Sequence, residues 1–196
     1  MQKTIFISSL LILFANVLQA QKPGDYDYIY TDLTLATENP SWVFHLDLSR
    51  QRLDEIPNSI YTFKWLRTLD LSKNKISQLA PDIAALSSLE ELDLSHNNLS
   101  LLPYQFSSLS KLEILDLSKN SIKQLPANFG KLQSLVNLNL WANELESLPE
   151  SFSQLKHNLI ELNLKSMVFD DESITKLKNE FPNTKIYFPN RCDCRP

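Results

Sequence analysis

Glycine is nearly missing from this chain: Gly24 and Gly130 are the only two in 196 residues, where average usage of roughly 7% would supply about fourteen. A phosphate-cradling loop needs closely spaced glycines so that backbone N–H groups can approach the phosphates. Both the P-loop and the dinucleotide-binding fingerprint are therefore excluded, and a Gly-x-Ser-x-Gly nucleophile elbow goes with them. Cysteine is equally scarce. Cys192 and Cys194 lie two residues apart and close almost no loop, so no disulfide framework spreads through the fold and packing must hold it together. An excess of base is also lacking, with 19 Lys and Arg against 23 Asp and Glu for a net charge of −4. No basic cluster interleaved with aromatics appears, which speaks against nucleic acid as the partner, because affinity there comes from neutralising phosphates.

Only one sustained apolar run is present, at the start. Met1 to Ala20 reads as a secretory signal peptide: Lys3 supplies the positive end, Ile5 to Phe14 the apolar stretch, and Leu18-Gln19-Ala20 the approach to cleavage before Gln21. An uncleaved N-terminal anchor is the alternative, but the run is short for the roughly 20 residues of a spanning helix. No later stretch approaches that length, so no integral membrane segment is expected after cleavage. The expected location is exported, periplasmic or extracellular. Loss of Lys3 would take the charge from −4 to −5.

What the sequence has in abundance is a period. Leu66, Leu69, Leu71, Asn74, Ile76 and Leu79 recur 23 residues on as Leu89, Leu92, Leu94, Asn97, Leu99 and Leu102. They recur again as Leu112, Leu115, Leu117, Asn120, Ile122 and Leu125, then as Leu135, Leu138, Leu140, Asn143, Leu145 and Leu148. One period earlier stand Val43, Leu46, Leu48, Gln51, Leu53 and Ile56. An extra residue within 156–158 shifts the frame to Leu159, Leu162 and Leu164. Behind each set come a proline (Pro57, Pro103, Pro126, Pro149) and an apolar pair (Ile60/Phe63, Ile83/Leu86, Phe106/Leu109, Phe129/Leu132, Phe152/Leu155).

The pattern L-x-x-L-x-L-x-x-N-x-L, repeated in phase, resembles the leucine-rich repeat family, and the L-P-x-x-F-x-x-L tail resembles its 23-residue subclass. The fold this implies is an α/β solenoid with a curved parallel sheet on the concave face and short helices or 3₁₀ turns on the convex face. The residues themselves say why. Alternating leucines put apolar side chains on one face of a short strand, Asn74, Asn97, Asn120 and Asn143 bond the backbone of adjacent turns as a structural ladder, and proline sets φ for the turn to the convex side. No unit can bury its own apolar face, so stacking supplies the stability. Glycine is dispensable on this reading because Asn, Ser and Pro carry the turns.

Both flanks read as caps, giving a signal peptide at 1–20, an N-terminal flank at 21–42, repeats at 43–169 and a C-terminal cap at 170–196. Asp32 to Glu38 is expected to form a short helix with Leu33 and Leu35 as its apolar contacts, and the first strand is expected around Phe44 to Leu48. Asp170 or Asp171 is expected to cap a helix carrying Ile174, Leu177 and Phe181, with a last strand at Thr184 to Phe188. These flanks resemble those of exported leucine-rich repeat proteins from Bacteroidetes-type bacteria. Cys192-Asp193-Cys194 reads as an exposed pair, with a metal or intermolecular disulfide role as the alternative.

No chemistry is marked. His45, His96 and His157 fall in no metal-binding or nucleophile-activating spacing, so the expectation is a non-enzyme with no catalytic residue, cofactor or metal. The outward strand positions form columns: Asp47, Asp70, Asp93, Asp116, Asn139 and Asn163; Ser49, Ser72, Ser95, Ser118, Trp141 and Lys165; His45, Thr68, Glu91, Ile114, Asn137 and Glu161. The Asp file is either a solvated filling of the repeat or a strip that steers a cationic partner. Trp141 replaces Ser in a polar column and, with Ile114, is the candidate apolar contact. The expected function is protein binding on the concave face by a monomer, through Trp141, Ile114, Asp70, Glu91, Asp93, Asp116 and Asn139. Binding of a glycan or surface polymer is the alternative.

Overall fold

The computed structural model describes residues 24–165 and 170–189. The signal-peptide reading of Met1 to Ala20 and the Cys192/Cys194 pair lie outside the described residues. Where the pattern x-L-x-L-x alternates, the chain forms three-residue strands with the middle leucine inward: β2 His45–Asp47, β3 Thr68–Asp70, β4 Glu91–Asp93, β5 Ile114–Asp116, β6 Asn137–Asn139 and β7 Glu161–Asn163. These join β1 (Ile29–Tyr30) and β8 (Lys185–Tyr187) in one parallel eight-stranded sheet whose order follows the chain. From β2 to β6 each residue pairs with the one 23 positions on, as Leu46 with Leu69 and Leu92 with Leu115. The step becomes 24 between β6 and β7, where Leu138 meets Leu162. The extra residue is taken up by an eight-residue 3₁₀ segment, Glu150–His157, where the units over 58–62, 81–85 and 104–108 use five.

The sheet starts earlier than the repeat suggests. Ile29–Tyr30 pairs in parallel with His45 and Leu46 at a step of 16, too short to register as a period. Tyr30, 2% exposed, occupies the place of the inward leucine. In α1 (Leu33–Glu38), Asp32 Oδ1 accepts the Thr34 N–H at 2.7 Å, as an N-cap should. The fully buried side chain of that helix is Ala36, with Leu33 and Leu35 only half-buried against the core. At the other end α2 (Asp171–Glu180) is capped by Asp170, whose Oδ1 accepts the Ser173 N–H at 2.7 Å. Leu177 and Phe181 are the residues it buries.

On the far side, each 3₁₀ turn is closed by the same bond. The Ile60, Ile83, Phe106, Phe129 and Phe152 N–H groups donate to the carbonyls of Pro57, Ala80, Pro103, Pro126 and Pro149. The apolar pairs that follow are all buried and tie the units together. Phe129 stacks on Phe152 at 6.1 Å between centroids, and Phe152 meets Phe181 at 5.5 Å. Strands stack about 4.8 Å apart while the 3₁₀ turns are bulkier, so the sheet lines the inner side of the solenoid.

The turn after each strand departs from the expectation that glycine is dispensable because Asn, Ser and Pro carry it. Arg50, Lys73, His96, Lys119 and Ala142 all have φ between 55° and 58°, the left-handed region that normally favours glycine. The conformation aims the N–H of Arg50, Lys73, His96 and Lys119 at the carbonyls of Ser72, Ser95, Ser118 and Trp141, at 2.8–2.9 Å, which lengthens the ladder beyond the strands. Low glycine in these units therefore means that strain is tolerated. Replacing Ala142 by Gly is expected to raise stability by about 0.5–1 kcal/mol, read as a higher urea midpoint at unchanged slope. Gly130 is the opposite case. Its N–H donates to Ser151 Oγ at 3.1 Å, and a Cβ there would lie 1.8 Å from the Ser151 carbonyl oxygen. Gly130→Ala forces two convex turns apart and should cost about 2–3 kcal/mol in the same measurement.

Candidate functional site

The outward face of the sheet is built by the residues between the leucines, and its central column is committed before any partner arrives. Asp47, Asp70, Asp93 and Asp116 each accept, through Oδ1, the N–H of the residue two further on, at 2.7–2.8 Å. Asn139 and Asn163 make the same bond to Trp141 and Lys165 at 3.2 Å, longer because a neutral acceptor replaces a charged one. This is the Asx turn, and it directs the strand into the left-handed residue that follows. The file is thus neither a solvated filling nor a free acidic strip. Asp116 is 3% exposed and accepts a second bond from Asn139 Nδ2 at 2.9 Å, while Asp70, Asp93 and Glu91 are half-buried.

Stacked carboxylates at one strand spacing resist ionisation. Burial pushes the Asp93 carboxyl up to about 7, with Asp116 and Asp70 adding to the rise and hydrogen bonds from Ser95 opposing it. Burial likewise raises Asp70, Asp116 and Glu91. Ser72 opposes the rise at Asp70, Ser118 and Asn139 oppose it at Asp116, and Glu90 and Glu113 reinforce it at Glu91. His45, half-buried with Nδ1 2.8 Å from Thr68 Oγ1, is lowered by burial.

The remaining candidates stand apart. Trp141 exposes 38% of its surface, and Lys119 Nζ lies 4.8 Å from its ring centroid. Ile114 is half-buried on β5, between Glu91 and Asn137. Four residues along the strand direction separate the Ile114 level from that of Trp141, about 13 Å. The Asp116–Asn139 pair lies between, so the two apolar side chains are separate points on the face. Among the described residues no group of three or more His, Cys, Asp or Glu is placed to hold a metal ion, and no helix is long and apolar enough to cross a membrane.

Residues 43–99, 64–122 and 99–145 match the family model described as leucine rich repeat, together more than half of the chain. The chain belongs to the leucine-rich repeat family. Among solved structures it is similar to an internalin from Listeria monocytogenes, with a TM-score of 0.62 and 19% identity over 82% of this chain and 45% of the internalin. It is also similar to a leucine-rich repeat protein of Leptospira interrogans, with a TM-score of 0.45 and 24% identity over 82% of this chain and 58% of that one. The chain thus spans about half the length of the solved proteins it matches. No curated protein matches it.

Two parts of this leucine-rich repeat face carried no periodic signal, because they come from the caps. At one end Tyr26 lies 4.8 Å from Phe44 and edge-on to His45 at 6.0 Å, with the Arg67 guanidinium 5.6 Å from its ring. Arg67 also pairs with Glu90. At the other end Tyr187 of β8 receives Lys165 Nζ at 5.5 Å and Lys185 Nζ at 4.8 Å.

The raised Asp93 carboxyl has a definite linkage. Its folded value lies above its unfolded one, so its contribution to stability is fully present below about pH 4 and is lost as pH rises through about 7. Asn already makes the same turn at 139 and 163. Asp93→Asn is therefore expected to raise the melting temperature at pH 8 by about 3–6 °C, to change it little at pH 4, and to flatten the slope between. Thermal unfolding across that pH range checks it.

Proposed function

We propose that this leucine-rich repeat protein is an exported, non-enzymatic binding module that meets a protein partner on the concave face of its sheet. The observation that carries the reading is Trp141. In the three preceding units this column holds Ser72, Ser95 and Ser118, all below 8% exposed and fitted into the turn. The tryptophan fills no core position, and 38% of it faces outward. A large ring held in place on an open face is the residue type that dominates binding energy when a partner covers it. Ile114, Glu91 and Asn137, outward on β4 to β6, supply a second contact point on the same face. The pattern of Lys3 and Ile5 to Phe14 supports export, as does the resemblance of the flanks to exported members from Bacteroidetes-type bacteria.

Affinity capture from the native extracellular fraction tests the proposal. The wild-type chain should retain a protein that Trp141→Ala and Ile114→Glu retain at least about ten-fold less well, the loss expected for hot-spot truncation. Equal retention by all three overturns the concave-face assignment. A glycan array that lights up while no protein is captured replaces it with carbohydrate binding.

A further inference from the structure

The concave face is not uniform along its length. From β2 to β5 its outward positions carry Asp47, Asp70, Glu91, Asp93 and Asp116, with Glu90 and Glu113 beside them. At β6 the Asp column turns to Asn139 and Asn163, and in the same strands cations and rings begin to alternate. Lys119 Nζ sits 4.8 Å from the Trp141 ring, Trp141 and Lys165 are neighbours in one column, and Lys165 and Lys185 place their ammonium groups 5.5 Å and 4.8 Å from the ring of Tyr187. The run crosses four strands. Among the described residues the carboxylates on these strands are engaged: Glu161 lies 3.5 Å from Lys185, and Asp116 is buried under its bonds to Ser118 and Asn139. Three ammonium groups stand against one half-buried carboxylate, a local excess of positive charge on a chain whose net charge is −4.

We infer that β6 to β8, with Lys119, form a subsite for an extended acidic segment of a protein partner, its carboxylates on Lys119, Lys165 and Lys185 and its intervening apolar side chains on Trp141 and Tyr187. The inference rests on the proposed function and names the chemistry of that partner. Every second side chain of an extended chain faces the same way, so acidic and apolar residues two apart meet ammonium and ring in turn. Each ring contact restrains a flexible lysine before binding, so less freedom is lost on capture.

The test is a titration of the isotope-labelled full chain with hexaglutamate peptide at low salt, followed by amide and indole shifts. Shifts should centre on Trp141, Lys165, Lys185 and Tyr187, and fade as salt rises. Lys165→Glu combined with Lys185→Glu should weaken binding at least ten-fold, and the paired Lys→Arg variant should keep it. Absence of shifts, shifts centred on β2 to β4, or equal binding by the paired Glu variant overturns the inference. Binding of oligogalacturonate with none of hexaglutamate overturns it in favour of an anionic glycan. The two readings fail separately. A captured partner lost with Trp141→Ala but held by the paired Glu variant overturns the acidic-segment inference and leaves the concave-face proposal standing. Hexaglutamate binding mapped to these residues, with no protein captured, supports the subsite and overturns the protein-binding proposal.

Discussion

Asn97 accepts the Ile76 N–H at 2.9 Å and donates to the Leu71 carbonyl at 2.9 Å and the Leu94 carbonyl at 3.0 Å. One side chain therefore satisfies backbone groups of its own unit and the one before it, in an interior where an unmet donor or acceptor is costly. Asn74, Asn120 and Asn143 repeat the arrangement against Leu48, Leu94 and Leu117. Strands of three residues cannot stand alone, and no unit buries its leucines unaided. Each unit is completed by its neighbour, so the structure depends on an unbroken stack. Where the Asn gives way to Gln51 at the first unit, the longer amide reaches back to the Thr31 carbonyl at 3.1 Å and ties the cap to the repeats.

That constraint decides what the outer face is free to do. The Asp column cannot be treated as spare charge, because its oxygens hold the turns that carry the chain into a left-handed residue and back to the Asn. Burial pushes Asp70, Asp93 and Asp116 toward protonation, and neighbouring carboxylates add to the rise at Asp70 and Asp93. The surface available to a partner is what remains: the residues ahead of the Asp positions, the Trp141 and Lys165 stretch where the Asp gives way to Asn, and the rings brought in by the two caps.

The repeats were legible because a leucine at every second strand position and an Asn at each turn leave a period of 23, and Leu46, Leu69, Leu92 and Leu115 are paired neighbours in the sheet. Trp141 was legible as a break in that period. Tyr26 and Tyr187 were not, because they join the face from segments outside the repeat. The left-handed turn was hidden for a different reason. Arg50, Lys73, His96, Lys119 and Ala142 share a conformation rather than a residue type, and glycine, which would have marked it, is absent from all five positions.

By itself the sequence determined the stack: the number of units, the inward leucines, the Asn ladder positions and the side chains that line each column all follow from periodicity, since hydrophobic burial and strand alternation act locally and repeat. Only the tertiary structure decided which polar side chains were already occupied, which way burial and neighbouring charge moved the carboxyls, why Gly130 must lack a side chain, and how Lys119 meets the Trp141 ring and Lys165 and Lys185 the ring of Tyr187. Those outcomes depend on distances between residues some 20 or more positions apart, and the period sets their spacing without revealing their contacts.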